Sequence, residues 1–318
     1  MIDKIKLTNR NFNPEFLLDN YKWKNVEIGN DPLKKGLQSN LINKSKKFSL
    51  RMLLTENLNT NIYSLSIDGS IRKWYFNANS RKDLKSIEFE DCVKLLGKKL
   101  GLKKGEVWKI FKITNLEIGV TLLLNSDFHE VMNCFVKLRN AKRNNEYESS
   151  IYFKFNNYEI LIYDKFLEMN KGQIWTNTEN NVFNKFHFFR FEISIKKISG
   201  TTFKEDYSTL ESLKHNWIKL PVILETNLNK IEFVDLLSKE KEIKLNSLSE
   251  YNNYIKYLGM KSIGIIKTIE GFKQIGIKNN KSKYFKDLIN NYRSHISSDR
   301  DYKAELMFEL SKKTNRLI

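Results

Sequence analysis

The stretch "ITNLEIGVTLLL", Ile113 to Leu124, sets Leu116, Ile118, Val120, Leu122 and Leu124 at every second position, with Asn115, Glu117, Gly119 and Thr121 between them. Side chains alternate across a strand, so the run predicts a long strand with one apolar face and one small, polar face carrying a glutamate. "FFRFEISIKK", Phe188 to Lys197, repeats the pattern: Phe189, Phe191, Ile193 and Ile195 point one way, and Arg190, Glu192, Ser194 and Lys196 the other. In "EILIYDKFLEMN", Glu159, Leu161, Tyr163 and Lys165 share a face opposite Tyr158, Ile160 and Ile162. Three such strands predict an antiparallel sheet, apolar where it packs and wet on its other side. Two carboxylates, a tyrosine and several cations then meet on the wet side.

Working outward, "NIYSLSIDGSIRKWYF" predicts a hairpin turning at Asp68-Gly69, and "SIEFEDCVKLLGKKLG" a helix ending near Gly101. "VWKIFKITNLEIGVTLLL" reads as extended throughout, and "SDFHEVMNCFVKLRNAK" as a helix capped by Ser126 or Asp127. A second hairpin is expected to turn at Asn156-Asn157. Beyond about residue 200 the pattern turns helical, interrupted at Pro221. The expected architecture is α+β: an antiparallel central sheet with helices packed on one face over residues 1–203, then a mainly helical C-terminal domain over residues 204–318. Lysines of that second part, among them Lys261, Lys267, Lys278, Lys281, Lys283 and Lys286, suit contact with the phosphates of duplex DNA.

The chain of 318 residues carries 55 Lys and Arg against 37 Asp and Glu, a formal charge of +18. Such a field attracts polyanions, and nucleic acid is the leading partner. Within "RKWYFNANSRKD", Arg72, Lys73, Trp74 and Tyr75 combine charge and rings in a way suited to stacking unpaired bases. Cys92 and Cys134 lie in amphipathic stretches and support neither a disulfide framework nor a zinc site. The opening "MIDKIKLTNR" has no apolar signal region, and no apolar run approaches membrane-spanning length, so no membrane partner and a cytoplasmic location are expected. Neither a P-loop nor a G-x-G-x-x-G fingerprint is present, which argues against a nucleotide-driven enzyme, and no organic cofactor site is expected. The acids and tyrosine on one polar face match a different chemistry. A phosphodiester attacked by a phenol needs oxygen-ligated divalent metal, nearby positive charge and a fixed tyrosine.

In order and spacing, "MIDKIKL", "SIDGSIRKWYF", "ITNLEIGVTLLL" followed by a helix, "LIYDKFLE" and "FRFEISIKK" resemble the gene II/X replication initiators of filamentous phages and their plasmid relatives. These are divergent members of the HUH endonuclease superfamily of rolling-circle initiators, and the likeness covers about residues 1–200. It implies that Tyr163 of the "YxKxxE"-like segment is the nucleophile, assisted by Lys165 or Lys73. It implies a Mg²⁺ or Mn²⁺ ion held by Glu117, Glu192 and Glu168, with Arg190 stabilising the growing negative charge. The superfamily's histidine pair has no counterpart, because His129, His187, His215 and His295 are scattered. The implied reaction nicks origin DNA, single-stranded or extruded as a hairpin. It leaves a 5′-phosphotyrosine link and a priming 3′-hydroxyl, and later rejoins the strand. Host helicase and polymerase are the implied partners, in a bacterial cytoplasm. The alternatives are a DNA-binding replication regulator without catalysis, or a relaxase or transposase with the same chemistry.

Overall fold

The computed structural model describes residues 1–29, 31–139, 141–147, 149–169, 186–233, 239–240, 245–275, 283–297 and 302–318. Its strands up to residue 195 are β1 (Ile2–Asn9), β2 (Lys24–Val26), β3 (Lys34–Leu41), β4 (Leu50–Asn57), β5 (Ile62–Ser70), β6 (Lys112–Leu124), β7 (Phe135–Lys137), β8 (Lys142–Tyr147), β9 (Ser150–Lys154), β10 (Tyr158–Asp164) and β11 (His187–Ile195). All but β7 join one sheet in the order β2-β3-β4-β5-β1-β6-β11-β10-β9-β8, each pairing antiparallel. The expected α+β class, with a large antiparallel sheet and helices packed against it, is the observed one.

The alternation seen in sequence is realised residue by residue. Leu116, Ile118, Val120, Leu122 and Leu124 are buried, as are Phe189, Phe191, Ile193, Ile195, Ile160 and Ile162. Register then fixes the polar side: Arg190 lies opposite both Thr121 and Tyr163, and Glu192 opposite both Gly119 and Leu161. A slip of one residue would exchange the two faces, so the burial of the apolar set specifies where the acids sit. One irregularity matters. Between Ile2, paired with Ile118, and Ile5, paired with Leu116, β1 has an extra residue, and Asp3 lies in this bulge. The hairpin at Asn156-Asn157 forms as expected, closed by the Phe155 N–H donating to the Tyr158 carbonyl at 2.9 Å.

Helices α1 (Glu15–Asn20), α2 (Ile71–Phe76), α3 (Ser86–Lys99), α4 (Glu106–Ile110), α5 (Phe128–Asn133) and α6 (Lys165–Met169) fill the connections. α3 buries Phe89, Cys92, Val93 and Leu96, an amphipathic stripe, and gives way at Gly101, whose φ of 72° suits glycine. α5 is capped by Asp127, which accepts the His129 and Glu130 N–H groups at 2.9 and 3.1 Å.

Four local expectations are corrected. Asp68-Gly69 is no hairpin turn: both residues belong to β5, where Asp68 pairs with Lys6 and Arg51. The chain turns at Ser70, whose hydroxyl accepts the Lys73 N–H at 3.1 Å and so starts α2. Residues Glu106–Ile110 are a helical turn and not the start of β6. The helix after Asp127 stops at Asn133 because the chain enters β7. Pro221 interrupts nothing: it sits in the first turn of the helix Leu220–Lys230, where its missing N–H has no helical partner to lose.

The change near residue 204 is one of secondary structure, and the core runs across it. Leu210, Leu213, Trp217, Leu224, Leu306 and Leu310 belong to the same apolar cluster as the sheet. The helices Leu248–Ile263, Ile265–Gln274 and Lys283–His295 enclose a second cluster around Tyr257, Met260, Ile289 and Tyr292. Lys261, Lys267, Lys283 and Lys286 lie exposed on these helices, whereas Lys278 and Lys281 fall outside the described residues. No helix among the described residues is long and apolar enough to cross a membrane.

Leu310 is fully buried in the helix Tyr302–Asn315, which packs on β6. Leu310→Ala is expected to cost about 2–5 kcal/mol and to lower the urea midpoint of the sheet itself. A separate, early transition of the C-terminal helices with the sheet unaffected would contradict a shared core.

Candidate functional site

Three carboxylates converge where β1, β6 and β11 run side by side. Asp3 comes from the bulge of β1, Glu117 from the polar face of β6 and Glu192 from that of β11, with ligand oxygens within 4.8 Å of one another. Gly119 makes room for them: a Cβ there would meet Glu192 Cγ at 2.5 Å and Arg190 Nη2 at 3.1 Å. A glycine in a strand interior otherwise weakens it, and here it permits close approach.

Arg190 organises the cluster. Its Nε donates to Glu192 Oε1 at 2.6 Å, its Nη2 to Asp3 Oδ2 at 2.8 Å, and its Nη1 to Thr121 Oγ1 at 3.1 Å and to Asp83. Asp83 also accepts the Thr121 N–H at 3.0 Å and pairs with Lys313 at 3.1 Å. Arg190 is 0 % exposed and all its bonds go to protein groups, so it holds the acids in place. Arg72 does the same from α2. It is buried, pairs with Asp3 at 3.0 Å, and donates to the carbonyls of Ser80 and Lys82 at 2.6 and 3.1 Å.

These surroundings set the charges. Burial alone would raise the carboxyl of Asp3, but Arg72, Arg190 and the Ser70 hydroxyl hold it well below the usual carboxylate range. Asp83 is likewise held low by Arg190 and Lys313 against its burial. Glu117 behaves oppositely: burial, then the charges of Glu192 and Asp3, push it well above the usual range. It makes no hydrogen bond or ion pair among the described residues, and it alone of the three is partly open to solvent. Three oxygen donors at this spacing could hold a hard divalent cation.

Tyr163 stands beside this trio, its hydroxyl donating to Glu192 Oε1 at 3.3 Å. Burial and the Glu192 charge push its phenol well above 10. Lys165 is buried with its ammonium 5.8 Å from the Tyr163 ring centre, and its burial together with Arg190 and Arg72 lowers it to about 8. Glu168 does not join the acids as expected. It is the counter-ion of two lysines, pairing with Lys165 and with Lys73 at 2.9 Å, and accepts from Asn79 at 3.2 Å. Against the effect of its burial, Lys165 and Lys73 hold it down to about 2. Asp164 caps α6 by accepting the Phe166 N–H at 2.8 Å.

The expected base-stacking group is not formed. Trp74 is buried with its indole N–H on the Leu41 carbonyl at 3.0 Å, Arg72 is inside, and Lys73 is paired. Tyr75 is half-buried, edge-on to Phe76 at 5.3 Å. The cause is local: "IRKWYF" is a helix with Ile71, Arg72 and Trp74 inward, not a strand with one wet face. Sequence reasoning missed Asp3, Asp83 and Thr121. Thr121 was legible by parity with Glu117, whereas Asp83 closes the basic stretch "RKWYFNANSRKD" and nothing in that stretch marks it as a partner of Arg190. Compared with protein-family models, curated proteins and solved structures, the chain has no match in any of the three.

Two outcomes are expected. Mn²⁺ raises the melting temperature of the wild type and leaves that of Glu117→Gln unmoved; an equal rise in both would exclude Glu117 as a ligand. Glu168 has a folded value of about 2 against 4.5 for the free side chain, so its contribution to stability is complete above pH 4.5 and lost as the pH falls towards 2. Urea titrations across that window should show a shallower acid decline for Glu168→Gln than for the wild type.

Proposed function

We propose that this chain is a metal-dependent, site-specific single-strand DNA endonuclease and strand transferase with Tyr163 as nucleophile, a rolling-circle replication initiator of the kind its sequence resembles. The observation that carries the reading is the Tyr163 hydroxyl 3.3 Å from Glu192, within a trio of acids whose oxygens lie within 4.8 Å. The charge of +18 supports a polyanionic substrate. Asp3 takes the place first expected for Glu168 in the ligand set.

Asp3, Glu117 and Glu192 would hold Mg²⁺ or Mn²⁺, whose contribution is Lewis-acid polarisation of the scissile phosphodiester. The protein's own groups do the rest. Glu192 orients the phenol and accepts its proton along the existing hydrogen bond. Lys165, a buried cation beside the ring, favours the phenolate. Tyr163 Oη bonds to phosphorus as the bond from phosphorus to the 3′-oxygen breaks, and that oxygen leaves as a hydroxyl with a proton from water. A 5′-phosphotyrosine link results. Rejoining reverses it: a 3′-hydroxyl attacks phosphorus and the tyrosine departs. Arg190 and Arg72 keep Asp3 charged, and Arg190 holds Glu192 in place. Origin DNA, single-stranded or extruded as a hairpin, is the proposed substrate, with host helicase and polymerase as partners in a bacterial cytoplasm.

A second reading, a DNA-binding replication regulator without catalysis, is favoured by the burial that pushes the phenol of Tyr163 above 10. One experiment separates the two. Incubated with Mn²⁺ and labelled single-stranded DNA carrying its own origin, the wild type is expected to give a covalent adduct on a denaturing gel, mapped by mass to Tyr163. The adduct should be absent from Tyr163→Phe and from samples with EDTA. Binding without any adduct, across several metals, would leave the regulator.

A further inference from the structure

On the other side of the sheet, where the β9–β10 hairpin approaches the segment around Gly200 and the helix Leu220–Lys230, lies an open cavity of about 810 Å³. Arg139, Lys154 and Lys230 line it, and no Asp or Glu does so among the described residues. Its walls also carry the side-chain amides of Asn156, Asn157 and Asn227 and a flat pair of rings, Phe155 and Tyr158, stacked at 4.4 Å and 12°. Arg139 projects from a turn closed by the Ala141 N–H on the Leu138 carbonyl at 2.9 Å, with a φ of 48°. A long side chain rarely adopts that backbone.

We propose that this cavity is a second subsite for single-stranded nucleic acid, holding the strand that flanks the segment at Tyr163. The proposal rests on the reading that the chain acts on single-stranded DNA. Arg139 and Lys230 attract phosphates, rings present a stacking platform, and the amides, of which Asn157 and Asn227 each also donate to a backbone carbonyl at 2.8 Å, offer further groups to base edges. Tyr158 and Tyr163 lie five positions apart on β10, which places them on opposite faces and about 17 Å from each other along the strand. A strand held at both places therefore has to pass round the end or edge of the sheet, and only DNA longer than the reactive segment engages both.

The test measures fluorescence anisotropy of labelled oligothymidylates of about 6 and about 20 nucleotides, one near the short end of the roughly 4–16-nucleotide footprint of single-strand binders and one beyond its long end. For the longer probe, Arg139→Gln/Lys230→Gln is expected to bind more weakly. Its slope of log affinity against log salt should be shallower by about 1.4, two contacts at about 0.7 each. Val222→Glu, at a cavity position 61 % exposed, should weaken the same probe independently by adding a carboxylate. Adduct formation at Tyr163 with a short single-stranded oligonucleotide carrying the origin sequence should be unchanged in both variants. An unaltered slope and affinity for the long probe would overturn the proposal. So would displacement of that probe by dTMP at a concentration equal to its nucleotide content, which would identify a free nucleotide as the occupant. Binding is read without cleavage, so failure of the nicking reaction and failure of this subsite give different results.

Discussion

A buried guanidinium holds the centre of this molecule together. Arg190 is sealed from water and bonded to acids from three places in the chain: Asp3 in the β1 bulge, Asp83 ahead of α3, and Glu192 on its own strand. Burying such a charge is costly unless its partners are in place, and removing one partner typically costs about 3–5 kcal/mol. With Arg72 and Lys313 added, three cations face three acids, Asp3, Asp83 and Glu192. Glu117 is the fourth acid and falls outside that balance. Burial and the neighbouring carboxylates push Glu117 towards its neutral form, so a cation bound among these acids would have to displace a proton from it.

The same cluster depends on pairing between distant segments. β6 and β11 are neighbours in the sheet and lie more than sixty residues apart in sequence, and β1 joins them from the start of the numbering. The apolar alternation of each strand sets which face is wet, and register then sets who stands opposite whom. Gly119 opposite Glu192 is where the two requirements meet, since any larger residue would collide with the glutamate it faces.

Those features explain how much was legible beforehand. The alternation in β6, β10 and β11 is a property of single segments, so the faces of Glu117, Tyr163, Arg190 and Glu192 could be read directly. The Asn156-Asn157 turn and the stop of α3 at Gly101 are equally local. Asp3 was hidden because a bulge breaks parity, and nothing in "MIDKIKL" marks the extra residue. Asp68-Gly69 misleads because tight-turn chemistry is outweighed by strand pairing on both sides and by the Ser70 cap that follows. Glu168 has the spacing of a ligand, but spacing does not reveal that Lys73, nearly a hundred residues away, reaches it. The face of Arg190 follows from parity, whereas its burial depends on Asp83, which only the tertiary fold brings over it.

The helix Tyr302–Asn315 lies against β6 and sends Lys313 to Asp83. In a cell the chain is made in order, at roughly 5–20 residues per second. The nascent sheet therefore waits on the order of ten seconds or more after β6 is synthesised before its covering helix exists. During that interval an apolar strand face is open to other chains, and Asp83 lacks one of the cations that balance it. The acid cluster thus receives one of its balancing cations, Lys313, only when a late-synthesised segment arrives.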